Sequence, residues 1–119
     1  MKVYTNDIYP FTIWVEISED RNNTLNRFRN YYTGNPIADV PLRDFVEPVE
    51  EISTGLWGVL IIFTDESRLS HKTVTHEAIH ATGLLLDEIG DKITGKETSA
   101  YLAGYIADCC VQTLKNKQL

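Results

Sequence analysis

Leu56 to Phe63 (LWGVLIIF) is an almost unbroken apolar run, closed by Asp65, Glu66 and Ser67. It is far shorter than the roughly 20 apolar residues that a membrane helix needs. A run of this length with no polar alternation predicts a strand covered on both faces, which commits the rest of the chain to covering it. With 119 residues, 43% of them hydrophobic, the chain is long enough for one domain, 1–119, with a modest core.

The flanking segments supply candidates for that cover. Phe11 to Ile17 (FTIWVEI) alternates and is rich in β-branched and aromatic residues, so it reads as a strand. Leu25, Phe28 and Tyr32 recur at i, i+3 and i+7, which predicts a helix over about Asn22 to Tyr32, ended by Gly34, Asn35 and Pro36. Pro36, Pro41 and Pro48 make residues 36–48 read as a loop with a turn of helix, and Val49 to Ser53 reads as a short strand. A long helix is predicted from His71 to Ile89, with Ser70 as N-cap, Val74, Ala78, Ala81 and Leu85 as its buried stripe, and Gly90 as its stop. A last helix should run from about Gly95 to Lys115. The expectation is an α+β domain with helices packed on a small sheet.

Seventeen acidic side chains against 11 basic ones give a net charge of -6, so no nucleic-acid surface is expected, since that needs a basic patch. The segment MKVYTNDIYP has no apolar core of a signal peptide, and no membrane partner is expected. Cys109 and Cys110 are adjacent and cannot staple distant parts of the chain. The simplest expectation is a reduced, cytoplasmic protein whose cysteines are buried.

All three histidines fall between positions 71 and 80, and two of them form His76-Glu77-Ala78-Ile79-His80, an HExxH motif on the predicted helix. Side chains at i and i+4 stand one above the other on a helix, so both imidazoles can reach one zinc ion, with each nitrogen about 2.0–2.1 Å from it. Glu77, one step round, is then able to take a proton from a water whose pKa the metal lowers toward about 7. His71 lies about 140° around the helix from His76 and should miss the ion.

A catalytic zinc usually has three protein ligands. Gly83 matches the glycine of HExxHxxGxxH, but Leu86 stands where a third histidine is required. The remaining carboxylates are Asp87, Glu88, Asp91, Glu97 and Asp108. Asp87 and Glu88 lie roughly two or three turns beyond His76 on the same helix, too far to share the ion. Asp91 sits in the turn. Glu97 would open the next helix and could fold back beside His80, but Thr94-Gly95-Lys96-Glu97 is also a capping box. Spacing alone leaves both readings of Glu97 open.

The pairing of His76-Glu77-x-x-His80 with a later Glu97-x-x-Ala100-Tyr101 resembles gluzincins of minimal size. It looks most like the small zincin-like proteins carried by phages and mobile elements, and more distantly like ImmA/IrrE-type metallopeptidases. The resemblance covers about residues 56–106. It implies a zincin-like fold, zinc held by His76, His80 and Glu97, Glu77 as general base, and a peptide or protein as substrate. It also implies that the strand before the metal helix, Leu56–Thr64, is a sheet edge able to pair with an extended peptide.

Around this constellation, Tyr101 or Tyr105 would donate a hydrogen bond to an oxyanion, or else be packed aromatics. Asp108 would orient a ligand histidine, or else be a solvated acid. Three functions compete: a zinc-dependent hydrolase, most simply a metallopeptidase; a non-catalytic interaction module stabilised by zinc; and a metal-free interaction protein. A structural zinc site has no use for Glu77 and closes with four protein ligands, which favours the hydrolase.

Overall fold

The computed structural model describes residues 1–6, 8–39, 43–90 and 97–117. The chain is an α+β fold built on a five-stranded mixed sheet. The strands are β1 (Lys2–Tyr4), β2 (Thr12–Ile17), β3 (Phe28–Asn30), β4 (Phe45–Glu51) and β5 (Trp57–Phe63). The helices are α1 (Asn22–Leu25), α2 (His71–Glu88) and α3 (Glu97–Lys117). No helix among the described residues is long and apolar enough to cross a membrane.

The apolar run becomes β5, which lies at the centre of the order β1-β2-β5-β4-β3. It runs parallel to β2, with Ile13 opposite Val59 and Val15 opposite Ile61, and antiparallel to β4. Both faces are covered, as its composition requires. On one face, Ile13, Val15, Val59, Ile61 and Phe63 pack against Val74, Ala78, Ala81 and Leu85 of α2 and Leu102 and Ile106 of α3. On the other, Trp14, Leu60 and Ile62 pack against Leu25, Phe28 and Val49. Gly58 is required by the parallel pairing. A Cβ there would fall 1.8 Å from the Thr12 carbonyl oxygen.

The central position of β5 corrects the expectation that Leu56–Thr64 forms a sheet edge: β2 and β4 occupy both of its flanks. The helix expected over Asn22 to Tyr32 is corrected as well. Only Asn22–Leu25 is helical, and Phe28–Asn30 is a strand in register with Val49–Glu51. Phe28 meets the Trp14 ring edge-on at 5.0 Å, and Arg27 pairs with Glu51 at 2.7 Å. These cross-strand partners override the local helical periodicity.

β4 begins at Phe45 and carries Pro48 in its interior, where a loop was expected. Pro48 is tolerated because it faces away from β5, toward the end of β3, where its carbonyl accepts from Tyr31 N–H at 2.9 Å. Its missing N–H lies on that same side and breaks no bond to β5. β1 has no counterpart in the sequence reading, since three residues are too few to show a period.

α2 starts where expected, with Ser70 Oγ accepting from Thr73 N–H at 3.2 Å. α3 is tied down at its far end, where Lys117 Nζ donates to the Ile17 carbonyl at 3.0 Å. The carboxyl end of α3 therefore lies at the end of the sheet where β2 and β5 finish and from which α2 departs. The two long helices consequently run in opposite directions across the same sheet face.

Candidate functional site

α2 divides its side chains between two faces. Val74, Ala78, Ala81 and Leu85 go to the core, and the small Ala78 and Ala81 let the helix lie close to the sheet. One helical turn separates His76 from His80, and both remain exposed. Their rings meet edge to face with centroids 4.7 Å apart, and the two Nε2 atoms stand 3.1 Å from each other. Two imidazole nitrogens bound to one tetrahedral zinc would be separated by about 3.3–3.4 Å. The separation of the two nitrogens is therefore close to that of two ligands on one zinc ion.

Glu77 sits between the exposed pair and the core. The residue is 7% exposed overall, and Oε1 lies 3.8 Å from His76 Nε2. Burial pushes its carboxyl above the ordinary range; the two imidazoles oppose that rise and Asp44 adds to it. A carboxylate with raised proton affinity is what a general base needs.

The three residues form one wall of an open cleft of about 410 Å³, and Asp44, Phe45 and Val46, at the start of β4, form the other. A larger hollow of about 580 Å³ lies at the ends of β2 and β5 and is lined by none of the predicted site residues. Asp44 is the residue that sequence reasoning missed. Its Oδ1 accepts from Thr64 N–H at 2.9 Å, which fixes it just beyond the last β4–β5 pair. Nothing in the sequence flagged it, because it precedes a strand disguised by prolines.

The structure brings His76, Glu77 and His80 together but does not bring Glu97 to them. Glu97 is the first residue of α3, and Cys110, whose thiol feels the charge of Glu77, comes 13 residues later on that helix. That separation is about 20 Å along the axis. Glu97 thus lies near the end of the sheet opposite to the start of α2, and it is exposed there. Among the described residues, no three His, Cys, Asp or Glu side chains gather closely enough to hold an ion as they stand. Asp91 and the Thr94 of the capping box lie outside the described residues.

The accessory candidates also lie elsewhere. Tyr101 is 71% exposed and lines neither side of the cleft. Tyr105 is half-buried near Asn6 and Cys109. Asp108 is exposed, and its charge acts on Tyr4 of β1 and on Cys109, at the far side of the sheet from β4. Glu88 accepts from Tyr31 Oη at 2.9 Å. The two cysteines are buried and free, and burial pushes their thiols up to about 11 for Cys109 and about 12 for Cys110. They are neutral at physiological pH and are not metal ligands in that state.

Comparison with protein-family models, with curated proteins and with solved structures found no match. The resemblance to gluzincins rests on the residues alone.

Proposed function

We propose that this protein is a zinc-dependent hydrolase of the zincin type, a peptidase in which His76 and His80 hold the metal and Glu77 is the general base. The observation that carries this reading is the placement of two Nε2 atoms 3.1 Å apart beside a buried carboxylate in an open cleft. When bound, zinc would supply acidification of water and polarisation of a substrate carbonyl. Glu77 takes the proton from the attacking water and returns it to the leaving amine, and its raised proton affinity suits both transfers. An interaction module held together by zinc would need neither the cleft nor a carboxylate of this kind.

The substrate side of the cleft is the outer edge of β4, which takes the role first expected of β5. Along a strand, alternate residues turn their backbone N–H and C=O to the same side. Val46 therefore faces the same outer edge as Pro48, and no described strand pairs with the edge at Phe45–Glu47. A peptide added along this edge would pass in front of the histidines.

The test is hydrolysis of fluorescently quenched casein peptides by zinc-loaded protein. Wild type should cleave, and Glu77→Gln should keep its zinc but lose activity by about 100-fold or more. Equal cleavage by both proteins, or none by zinc-loaded wild type, would overturn the reading.

A further inference from the structure

We propose that the hollow of about 580 Å³ at the carboxyl ends of β2 and β5 binds a linear polyamine, at a site separate from the histidine cleft. β2 and β5 are adjacent and parallel, and the chain leaves them toward opposite faces of the sheet. After β2 it passes to α1, whose Leu25 packs with Leu60 and Ile62 on one face. After β5 it passes to α2, which packs with Ile61 and Phe63 on the other. Connections that part in this way open a crevice beyond the strand ends, the place where open sheets take their ligands. The volume lies within the range of small-molecule sites.

The lining selects the ligand. Glu19 and Asp20 stand on the β2 side, Asp65 and Glu66 on the β5 side, and Lys117 is the one cation among the described residues that line the hollow. Lys117 Nζ donates to the Ile17 carbonyl at 3.0 Å, so this end of the sheet already seats an ammonium group. Asp65 is engaged as a cap, accepting from Ser67 N–H at 2.9 Å. No three acids among the described residues converge on a single ion. Carboxylates set apart on two sides of a hollow suit a ligand whose positive charges are also set apart. Thr64 points to such a ligand independently. It is 5% exposed and lines the hollow, and its Oγ1 has no hydrogen-bond partner among the described residues. Phe63 packs toward α2, so strand alternation turns Thr64 to the α1 side, where residues 18–21 leave the sheet. A buried hydroxyl without a partner is costly. An ammonium N–H donating to Thr64 Oγ1 relieves that cost, and the exposed Glu19, Asp20 and Glu66 pair with the ligand's other amines.

Calorimetric titration of the full metal-free chain with spermidine tests the proposal. Wild type should bind one molecule, more weakly as salt rises. Thr64→Val keeps the shape and removes the hydroxyl, so it should bind about 10-fold more weakly and melt no lower than wild type. The double variant Asp20→Asn, Glu66→Gln changes only exposed side chains and should bind about 5-fold or more weakly. Glu97→Gln, an exposed acid outside the hollow, should bind as wild type does. Absence of saturable binding by wild type, or equal binding by wild type and the double variant, would overturn the proposal. Should Thr64→Val fail to fold, the double variant gives the answer alone. Zinc-loaded and metal-free chains should bind spermidine alike, and displacement of spermidine by zinc would move it to the histidine cleft and overturn the proposal as well.

Discussion

Two pairs of potential metal ligands flank Glu77, and they have opposite fates. His76 and His80 stand one helical turn apart on the outer face of α2, exposed, with their Nε2 atoms converging. Cys109 and Cys110 lie inside, where α3 packs against the same helix, and burial holds both thiols neutral. Cysteine is the softer and stronger zinc ligand only as a thiolate. Residue type therefore matters less than the side of the helix on which the residue is left. Adjacent residues on α3 also diverge by about 100°, so the cysteines could not converge on one ion even if they were ionised.

The comparison breaks most visibly through the metal. His76→Ala or His80→Ala should weaken zinc binding by about 100-fold or more, because each removes a direct ligand. Since both side chains are exposed, the metal-free variants should lose no more than about 0.5 kcal/mol of stability, as read from urea unfolding. Cys110→Ser should do the reverse. It should leave zinc affinity unchanged and cost about 1–3 kcal/mol by burying a hydroxyl without a partner. A Cys110→Ser variant that lost zinc would join the two pairs into one site.

Chemical modification sharpens the same contrast. In the native metal-free protein, diethyl pyrocarbonate should modify His76 and His80, whereas iodoacetamide should leave both cysteines intact until the chain unfolds. Zinc should protect the histidines. Peptide mapping by mass spectrometry reads each outcome.

The smallest effect concerns Glu77. Its carboxyl is raised in the fold, chiefly by burial, so between the ordinary carboxylate range and the raised value the folded chain binds more protons than the unfolded one. Stability of the metal-free protein therefore falls as pH rises through that window. Glu77→Gln should remove that part of the pH dependence and melt no lower than wild type at neutral pH. Thermal melts in chelator from about pH 4 to about pH 7 measure it.

Much of the layout was legible where one physical demand dominates. The apolar run from Leu56 could only be a strand buried on both faces, and the stripe through Val74, Ala78, Ala81 and Leu85, with Ser70 as cap, could only be a helix lying on it. The segment from Leu25 to Tyr32 misled, because its helical spacing is real while Phe28 is claimed by Trp14 across the sheet. Pro48 hid β4, since a proline argues against a strand unless its missing N–H faces away from the central partner, here β5, and that is a property of the pairing.

At the site, the HExxH spacing fixed the side chains whose separation is set by one helical turn. It could not fix a side chain from another element. Spacing left Glu97 open between ligand and cap and the resemblance to gluzincins drew it in, whereas the antiparallel course of α3 carries it away. Asp44 is 32 residues before His76, and strand pairing alone brings it near.

The most direct test is zinc content after equilibrium dialysis, measured by elemental analysis of wild type and of the His76→Ala, His80→Ala double variant. One zinc per wild-type chain and none in the double variant is the predicted result. Wild type without zinc, or equal zinc in both proteins, would contradict the claim that these two imidazoles are the heart of the site.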